Sequence, residues 1–415
     1  MTGAVEAEQK VPLRRNRDFW FLWTGVGVAT WGNAVTSAAY PLLLIWNGGS
    51  ASAAGLVGFA GLLPVLLVQL PAGVFVDRWD RRRTMVVCNA VCAVSLASVG
   101  VALLFGRLWL PHLMIVAFAE GSAFVFYRLS ERAAVVNVVH PDQLPTAMAQ
   151  NQARGRAAGL AGQPTGSSLF VLARWAPFLF TAVLHLVALV NLLFIKSRFQ
   201  SDRAPRRRRL RTEVAEGIGW VFRQEFLRTA ILLVSVTNVL FQALRLAIVV
   251  IINEHGGSPA FMGVIGVLSG VGGISGAMLG PLMVRRFHPG AVITGVFAVW
   301  TCAMPLVAMT SQPVFLGALM SVMLFAGALI NVIAGVYQVQ VTPDELQGRV
   351  GSVASLISSG ANSMGPLLAG LLLASVGGSR TVLCLSVVMA AVTVTALLSR
   401  PIRAARLKTP DASAP

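Results

Sequence analysis

Long uncharged apolar stretches alternate along the chain with short polar or basic runs, and the alternation recurs about twelve times. A helix rises 1.5 Å per residue, so crossing the ~30 Å hydrocarbon core of a bilayer takes roughly 20 mostly apolar residues. The pattern predicts spans at 18–45, 53–76, 84–105, 108–130, 144–172 and 176–196. A second set follows at 226–252, 259–284, 290–310, 313–339, 349–376 and 379–399. Between the sets lies one long polar linker, Lys196–Arg211, with Arg203, Arg206, Arg207, Arg208, Arg209 and Arg211. Residues 212–225 (TEVAEGIGWVFRQE) then carry Val214, Ile218, Val221 and Phe222 at helical spacing, which predicts an amphipathic helix lying on the membrane surface.

The expected architecture is an all-α membrane protein of twelve transmembrane helices in two six-helix bundles. Its parts are a tail at 1–17, a bundle at 18–196, the linker with its surface helix at 197–225, a bundle at 226–399 and a tail at 400–415. The halves repeat. NVVHPDQL in the first half and QVTPDEL in the second place Pro141 and Pro343 at an offset of 202 (343 − 141). Pro164 and Pro366 share that offset (366 − 164), while Gly73 with Arg78 and Gly280 with Arg285 match more loosely at 207 (280 − 73). Two halves in one orientation form a parallel repeat, an arrangement of secondary transporters in which the central site lies between the halves.

Composition sharpens this picture. Hydrophobic residues make up 56% of the chain and charged residues 12%, about half the charged share of a soluble domain. That excludes disorder, and it leaves too little polar surface to display the net charge of +17 to a nucleic acid. The charge instead has a side. With the N-terminus inside, the cytoplasmic face receives Lys10, Arg14, Arg15, Arg17, Arg78, Arg81, Arg82, Arg83, Arg132, the linker arginines, Arg285, Arg286, Arg349, Arg400, Arg403, Arg406 and Lys408. The far face receives little beyond Arg107, Arg174 and Arg380. This positive-inside bias predicts a multi-pass protein of the plasma (inner) membrane with both termini cytoplasmic and anionic lipid headgroups as counter-ions. The four cysteines sit singly in apolar stretches and read as small buried hydrophobes.

The loop after the second span reads GVFVDRWDRRR. Its Gly73, Asp77, Arg78, Arg81 and Arg82 resemble the G-x-x-x-D-R-x-x-R-R signature of the major facilitator superfamily. An acid there can accept hydrogen bonds from a helix N-terminus and pair with arginines, contacts that can form in one conformation and break in another. The resemblance implies a gating loop; the alternative is that the arginines are topology signals only. The second-half copy has Val284 where the acid would stand. RNRDFWFLWTGVGVATWGNAV, HPDQLPTAMAQNQA and EGIGWVFRQEFLRTAILL further resemble the branch of drug and siderophore exporters, over residues 14–400. Exporting members carry a Gly-Pro motif in the fifth helix. Here Gly155, Gly159, Gly162, Pro164 and Gly166 stand in GRAAGLAGQPTG, with Gln163 where the pattern has Gly, and MGPLLAG repeats it at Gly365, Pro366 and Gly370. Small residues let helices approach closely and proline permits a bend, so helix packing alone also accounts for both runs.

Ionisable groups at membrane depth need a reason. Glu120 lies ten residues after Leu110 in the fourth span, between MIVAFA and GSAFVF, surroundings that disfavour a bare charge. It is the candidate proton-coupling carboxyl, with Arg154 or Arg156 of the fifth span as partner; a static ion pair is the alternative. Asn33, Gln69, Asn238, Gln242, Arg245 and Asn331 are candidate linings of a substrate cavity, although single polar residues also serve helix packing. Trp31, Tyr40, Phe124, Phe126, Tyr127 and Phe241 could stack on a bulky ligand or anchor in lipid. The sequence has no G-x-x-x-x-G-K-[ST] phosphate loop and no clustered metal or nucleophile set, so neither enzyme activity nor a cofactor is expected.

The resemblance implies proton-driven export of a small amphipathic molecule by alternating access, working as a monomer without nucleic-acid partners. A facilitator or importer of the same fold is the nearer alternative. A transporter-like receptor or a lipid scramblase is the more distant one. The orientation is open to test: in a cysteine-free background, Ser201→Cys in the linker should react with an impermeant thiol reagent in inside-out vesicles and stay unlabelled in intact cells.

Overall fold

The computed structural model describes residues 12–195, 199, 210–343 and 346–403. The linker residues 200–209, the tail beyond 403 and Asp344 of the second PDEL-type turn therefore lie outside the described residues. The helices are α1 (Arg17–Trp46), α2 (Ala51–Leu67), α3 (Gln69–Arg78), α4 (Arg81–Leu104), α5 (Leu110–Val138), α6 (Leu144–Leu172) and α7 (Ala176–Leu193). They continue as α8 (Leu210–Arg223), α9 (Glu225–Glu254), α10 (Ala260–Arg286), α11 (Pro289–Val307), α12 (Pro313–Val341), α13 (Gln347–Val376) and α14 (Gly378–Leu398). Ten of these are long and apolar enough to cross a membrane. The pair α2 and α3 makes an eleventh span, bent by 54° at Val68, where Pro71 cannot donate to the carbonyl one turn back. The twelfth is α6: its 29 residues suffice in length, but its first half is polar and carries Arg154 and Arg156. The protein is a multi-pass membrane protein, and its described residues are all-helical between their turns and accommodate twelve spans.

Local chemistry sets the helix ends. Asp80 caps α4 by accepting from the Arg83 backbone N–H at 2.9 Å. Proline stands in the first turn of α5, α6, α7 and α11, where a missing N–H costs nothing. The closing residue of α13, Gly377, has φ +79°, a backbone that glycine alone adopts without strain. One end differs from the sequence expectation. The fourth span was expected to stop at 130, yet α5 runs to Val138. The helical run AAVVNV continues it, and the turn comes only where Pro141 disfavours helix in the residue before it.

The chain forms two compact units, Met1–Ala39 with Leu67–Arg206 and Tyr40–Leu66 with Arg207–Pro415. In the first, Phe19, Leu22 and Val26 of α1 pack with Met85 and Cys88 of α4, Ala123 and Tyr127 of α5, and Leu192 of α7. There α6 meets α1 through its glycines. A Cβ at Gly162 would overlap Ala34, and one at Gly166 would lie 2.7 Å from the Val35 carbonyl oxygen. Gly159, by contrast, faces open space.

The second unit uses the same device. A Cβ at Gly55 of α2 would fall 2.5 Å from the Pro366 carbonyl oxygen, and one at Gly370 would fall 2.8 Å from the Ala51 carbonyl oxygen. A Cβ at Gly365 would press on Gln242 of α9 at 2.6 Å. Helix α8 turns Val221 and Trp220 against Val350 and Val353 of α13, leaving Ile218 and Phe222 exposed. Its expected apolar face is thus split between protein and surroundings, and the side chain of Val214 lies outside the described residues.

In a bilayer the partner helix is no more apolar than lipid, so close backbone approach is what holds spans together. Gly162→Leu should therefore lower the thermal unfolding midpoint of detergent-purified protein, in line with an overpacking cost of ~1–3 kcal/mol. Gly159→Ala should leave it unchanged.

Candidate functional site

Helix α5 carries the chemistry of the first unit on one face. Glu120, Phe124, Tyr127 and Glu131 follow at steps of four, three and four residues, the spacing that stacks side chains along one helix side. Glu120 is 4% exposed. Its Oε1 accepts from the Thr36 hydroxyl and, at 3.2 Å, from Asn33 Nδ2, both on α1. Asn33, expected to line a substrate cavity, is thus committed in this structure to holding a carboxylate.

The expected pairing of Glu120 with Arg154 or Arg156 is corrected. Arg154 donates from Nη2 to Glu131 Oε1 at 2.5 Å, and both residues are buried. Nη1 donates to the Trp23 carbonyl and to Asn151 Oδ1, each at 3.2 Å, and the guanidinium lies 5.9 Å from the centre of the Trp23 ring. Gly27 of α1 clears the way for the arginine's stem; a Cβ there would stand 3.1 Å from Arg154 Cδ. Arg156 is exposed. The reason is depth. Because α5 is longer than expected, Glu120 lies eighteen residues from its Val138 end, about 27 Å, and Glu131 only seven, about 10 Å. Arg154 is ten residues into the antiparallel α6, about 15 Å, and so lies level with Glu131.

Three functional candidates escaped the sequence reading: Glu131, Asn89 and His185. Glu131 fell just outside an underestimated span, and the continued helical run to Asn137 was the available signal. Asn89 and His185 are single polar residues in otherwise apolar spans, and nothing in the sequence brings them together. In the structure His185 Nδ1 and Asn89 Oδ1 are 2.9 Å apart, both residues buried. Tyr127, offered as a ligand-stacking ring, is 4% exposed inside this bundle. Trp31 is engaged as well, donating to the Thr165 hydroxyl at 3.3 Å.

The basic loop is built differently from its expected form. Asp80, rather than Asp77, caps a helix; Asp77 and Arg78 are exposed, and Asp77 has no partner among the described residues. Arg82 donates to the carbonyls of Leu192 and Leu193 at 3.1 and 2.9 Å, satisfying the C-terminal end of α7. Arg81 donates to the Ala133 and Phe199 carbonyls at 3.3 and 2.9 Å. Gly73 has open space around it. Asn238, Gln242 and Arg245 share one face of α9, with the first two half-buried and Arg245 exposed. Gln69 is half-buried beside the α2–α3 bend, and Asn331 is exposed on α12. Among the described residues no three His, Cys, Asp or Glu side chains are grouped to hold a metal.

Residues 22–366 match the sequence pattern of the Major Facilitator Superfamily. The chain belongs to that family. It is a superfamily of transporters, not of enzymes. The chain is similar to the multidrug efflux pump Tap of Mycolicibacterium fortuitum, 25% identical over 370 residues that cover 86% of this chain and 90% of Tap. A 72-residue stretch is 38% identical to Tap of Mycobacterium tuberculosis, 17% of each chain. The fold resembles that of the nucleoside transporter NupG, with a TM-score of 0.71 over 92% of this chain and 98% of that one at 11% identity. It also resembles a bacterial homologue of the human lysosomal transporter Spinster in an inward-facing, occupied form, with a TM-score of 0.69 over 94% and 97% at 13% identity. At such identities these two structures share the major facilitator fold and nothing finer.

Removing one partner of a buried ion pair strands the other charge and typically costs ~3–5 kcal/mol. Arg154→Met alone should therefore strongly reduce the amount of folded protein, measured by detergent size-exclusion. The double variant Arg154→Met with Glu131→Leu should recover a large part of that loss.

Proposed function

We propose that this transporter exports a small amphipathic molecule in exchange for protons, with Glu120 as the coupling carboxyl. The observation that carries the reading is Glu120 itself: a carboxyl 4% exposed, deep in a span, held by side-chain donors of a neighbouring helix. As a carboxylate it accepts from Thr36 and Asn33. As an acid it becomes a donor with less accepting capacity, so each protonation weakens the grip of α5 on α1. A proton at that oxygen thereby becomes a force between helices, which coupling requires. The likeness to Tap across most of both chains favours efflux over uptake.

In this reading the bundles 18–196 and 226–399 rock about a central cavity to which Gln69, Asn238, Gln242, Arg245 and Asn331 contribute. The positive-inside bias puts both termini in the cytoplasm of a cell whose plasma membrane supplies anionic headgroups for the basic loops. Asp77 and Arg78 of the loop are the gating contacts: exposed here, they are free to pair in another state of the cycle. The glycine–proline segments, with Gly162 and Pro164 in α6 and Gly365 and Pro366 in α13, form close helix contacts on which the rocking proceeds. The transporter acts as a monomer.

The test uses inside-out vesicles and a panel of fluorescent amphipathic dyes, with and without an imposed pH gradient. Wild type should accumulate at least one dye only when the gradient is present. Glu120→Gln should abolish the gradient-driven part, a loss of at least about tenfold, while dye counterflow without a gradient persists. Gradient-driven accumulation that survives in Glu120→Gln would instead mark a carrier in which Glu120 is structural.

A further inference from the structure

We propose that the transported molecule is an amphipathic anion, whose acidic group is met by Arg128 of α5 and by Arg245 of α9. The proposal names the substrate class of the export reading and rests on that reading. Its starting point is an arginine at membrane depth with nothing to neutralise it. Arg128 lies ten residues from the Val138 end of α5, about 15 Å, and eighteen from the Leu110 end, about 27 Å. Its side chain is exposed. The guanidinium stands 5.7 Å from the centre of the Phe124 ring, and among the described residues no carboxylate or carbonyl takes its hydrogens. Both acids of α5 are engaged elsewhere, Glu120 with Thr36 and Asn33 and Glu131 with Arg154. Arg132, one turn on, is exposed as well, and like charges at that spacing repel.

A bare guanidinium at that depth faces water or a partner, because hydrocarbon offers it neither. The rotation of α5 agrees. Val125 and Val135, within about 60° of Arg128 around the helix, are buried, whereas the strongly exposed Ile115 lies about 140° away. Arg128 therefore opens on an aqueous recess and not on lipid. The second unit, taken alone, repeats the situation. Arg245 is nine residues from the Glu254 end of α9, about 14 Å, and twenty from the Glu225 end, about 30 Å. Leu244, Leu246, Ala247, Ile248 and Val249 around it are buried, yet Arg245 is exposed. It is crowded by protein and still open, as a side chain in a recess is. Between residues 226 and 399 the sequence has only the acids Glu254, Asp344 and Glu345, the last two beyond the Val341 end of α12. Glu254 accepts from the Gly378 backbone N–H at 3.2 Å.

The chemistry of the ligand follows from these groups. A guanidinium carries five N–H donors in a planar fork that matches a carboxylate or a sulfonate. Phe124 holds one face of Arg128 by a cation–π contact and leaves the donor edges free. One turn before Arg245 stands Phe241, packed edge-on against Trp300 with ring centres 4.8 Å apart. Each arginine thus has an aromatic ring one turn away, which suits a molecule with an acidic head and an apolar body. Uncompensated positive charge in a recess of low dielectric gathers anions and turns cations away. A bound anion also relieves the repulsion between Arg128 and Arg132. A membrane potential negative inside drives an anion outward, so the assigned charge and the direction of export agree. A lipid phosphate offers the same chemistry as a free acid, and the experiment separates the two.

The experiment is counterflow in proteoliposomes without a pH gradient, so its outcome is independent of proton coupling. The probes are the xanthene anion fluorescein, the bile anion taurocholate and the cation tetramethylrhodamine methyl ester. Vesicles are made of phosphatidylcholine with and without phosphatidylglycerol. Expected is exchange of at least one anion and little of the cation. Arg128→Gln and Arg245→Gln should each raise the half-saturating concentration of that anion by about tenfold, the loss of one charge-assisted contact. Arg128→Lys, which keeps the charge and loses the fork, should raise it by about threefold, and it replaces Arg128→Gln if that variant does not fold. Arg107→Gln, after the end of α4, should leave it unchanged. Half-saturation does not depend on the amount of active protein, so a merely structural role of either arginine leaves it in place. Exchange of the cation alone, exchange of no probe, or anion exchange whose half-saturation ignores the arginine variants overturns the proposal. A shift confined to vesicles with phosphatidylglycerol assigns the arginines to lipid headgroups and overturns it too. Exchange of the cation alone leaves export of an amphipathic molecule standing, and the pH-gradient assay decides the role of Glu120 separately.

Discussion

The buried pair of Glu131 and Arg154 is the constraint around which the first bundle is arranged. Neither charge can be left bare at that depth, and so each neighbouring element is shaped to satisfy them. Gly27 on α1 lacks a side chain where the arginine's stem passes, Trp23 offers its carbonyl and its ring, and Asn151 takes another guanidinium hydrogen. Helix α6 can then be far more polar than a lipid-facing span and still cross the membrane. The same requirement, that polar atoms in hydrocarbon find partners within the protein, places Asn33 and Thr36 on Glu120 and Asn89 on His185.

Around this polar interior the helices are held by shape rather than by hydrophobicity, since lipid competes equally for apolar surface. Gly162 and Gly166 bring α6 onto α1, and Gly55 and Gly370 bring α2 onto α13. The two contacts come from different units and involve the matching Gly-Pro segments of α6 and α13, and both replace side-chain packing by backbone contact. Contacts of this kind have little side-chain interlocking, which suits helices that must move in a transport cycle. The arginines of the basic loop serve a related end. Arg81 and Arg82 cover carbonyls beside the ends of neighbouring helices, while Asp77 and Arg78 of the same loop remain exposed. One motif therefore divides into anchoring residues and residues open to a second set of contacts.

Much of the fold was legible in the sequence because bilayer thickness imposes a length on every span. The boundaries at 144–172 of the fifth span coincide with α6, and a helix stands as α8 (Leu210–Arg223) where an amphipathic one was expected at 212–225. Where the reading failed, the failure was one of register. Ending the fourth span at 130 hid Glu131 inside what looked like a loop, and the depth assigned to Glu120 then matched it wrongly with Arg154. A helical continuation of eight residues was enough to transfer the arginine from one carboxylate to another. Asn33 was recognised as an intramembrane polar residue but given to a substrate, because its neighbour across the helix interface is 87 residues away in sequence.

By itself the sequence determined that the chain is an all-helical, multi-pass membrane protein, and it supplied the expectations that its basic loops share a side, that its halves repeat and that an acid lies at membrane depth. Those properties are local or periodic, and they follow from hydrophobic length and charge placement, which need no knowledge of neighbours. Only the tertiary structure decided which polar groups meet. Partner choice depends on helix rotation and depth, and a shift of a few residues turns a side chain to another face and moves it several ångströms along the axis. Glu120 with Asn33 and Thr36, Glu131 with Arg154, and His185 with Asn89 are products of that geometry, and the chemistry proposed for the protein rests on the first two.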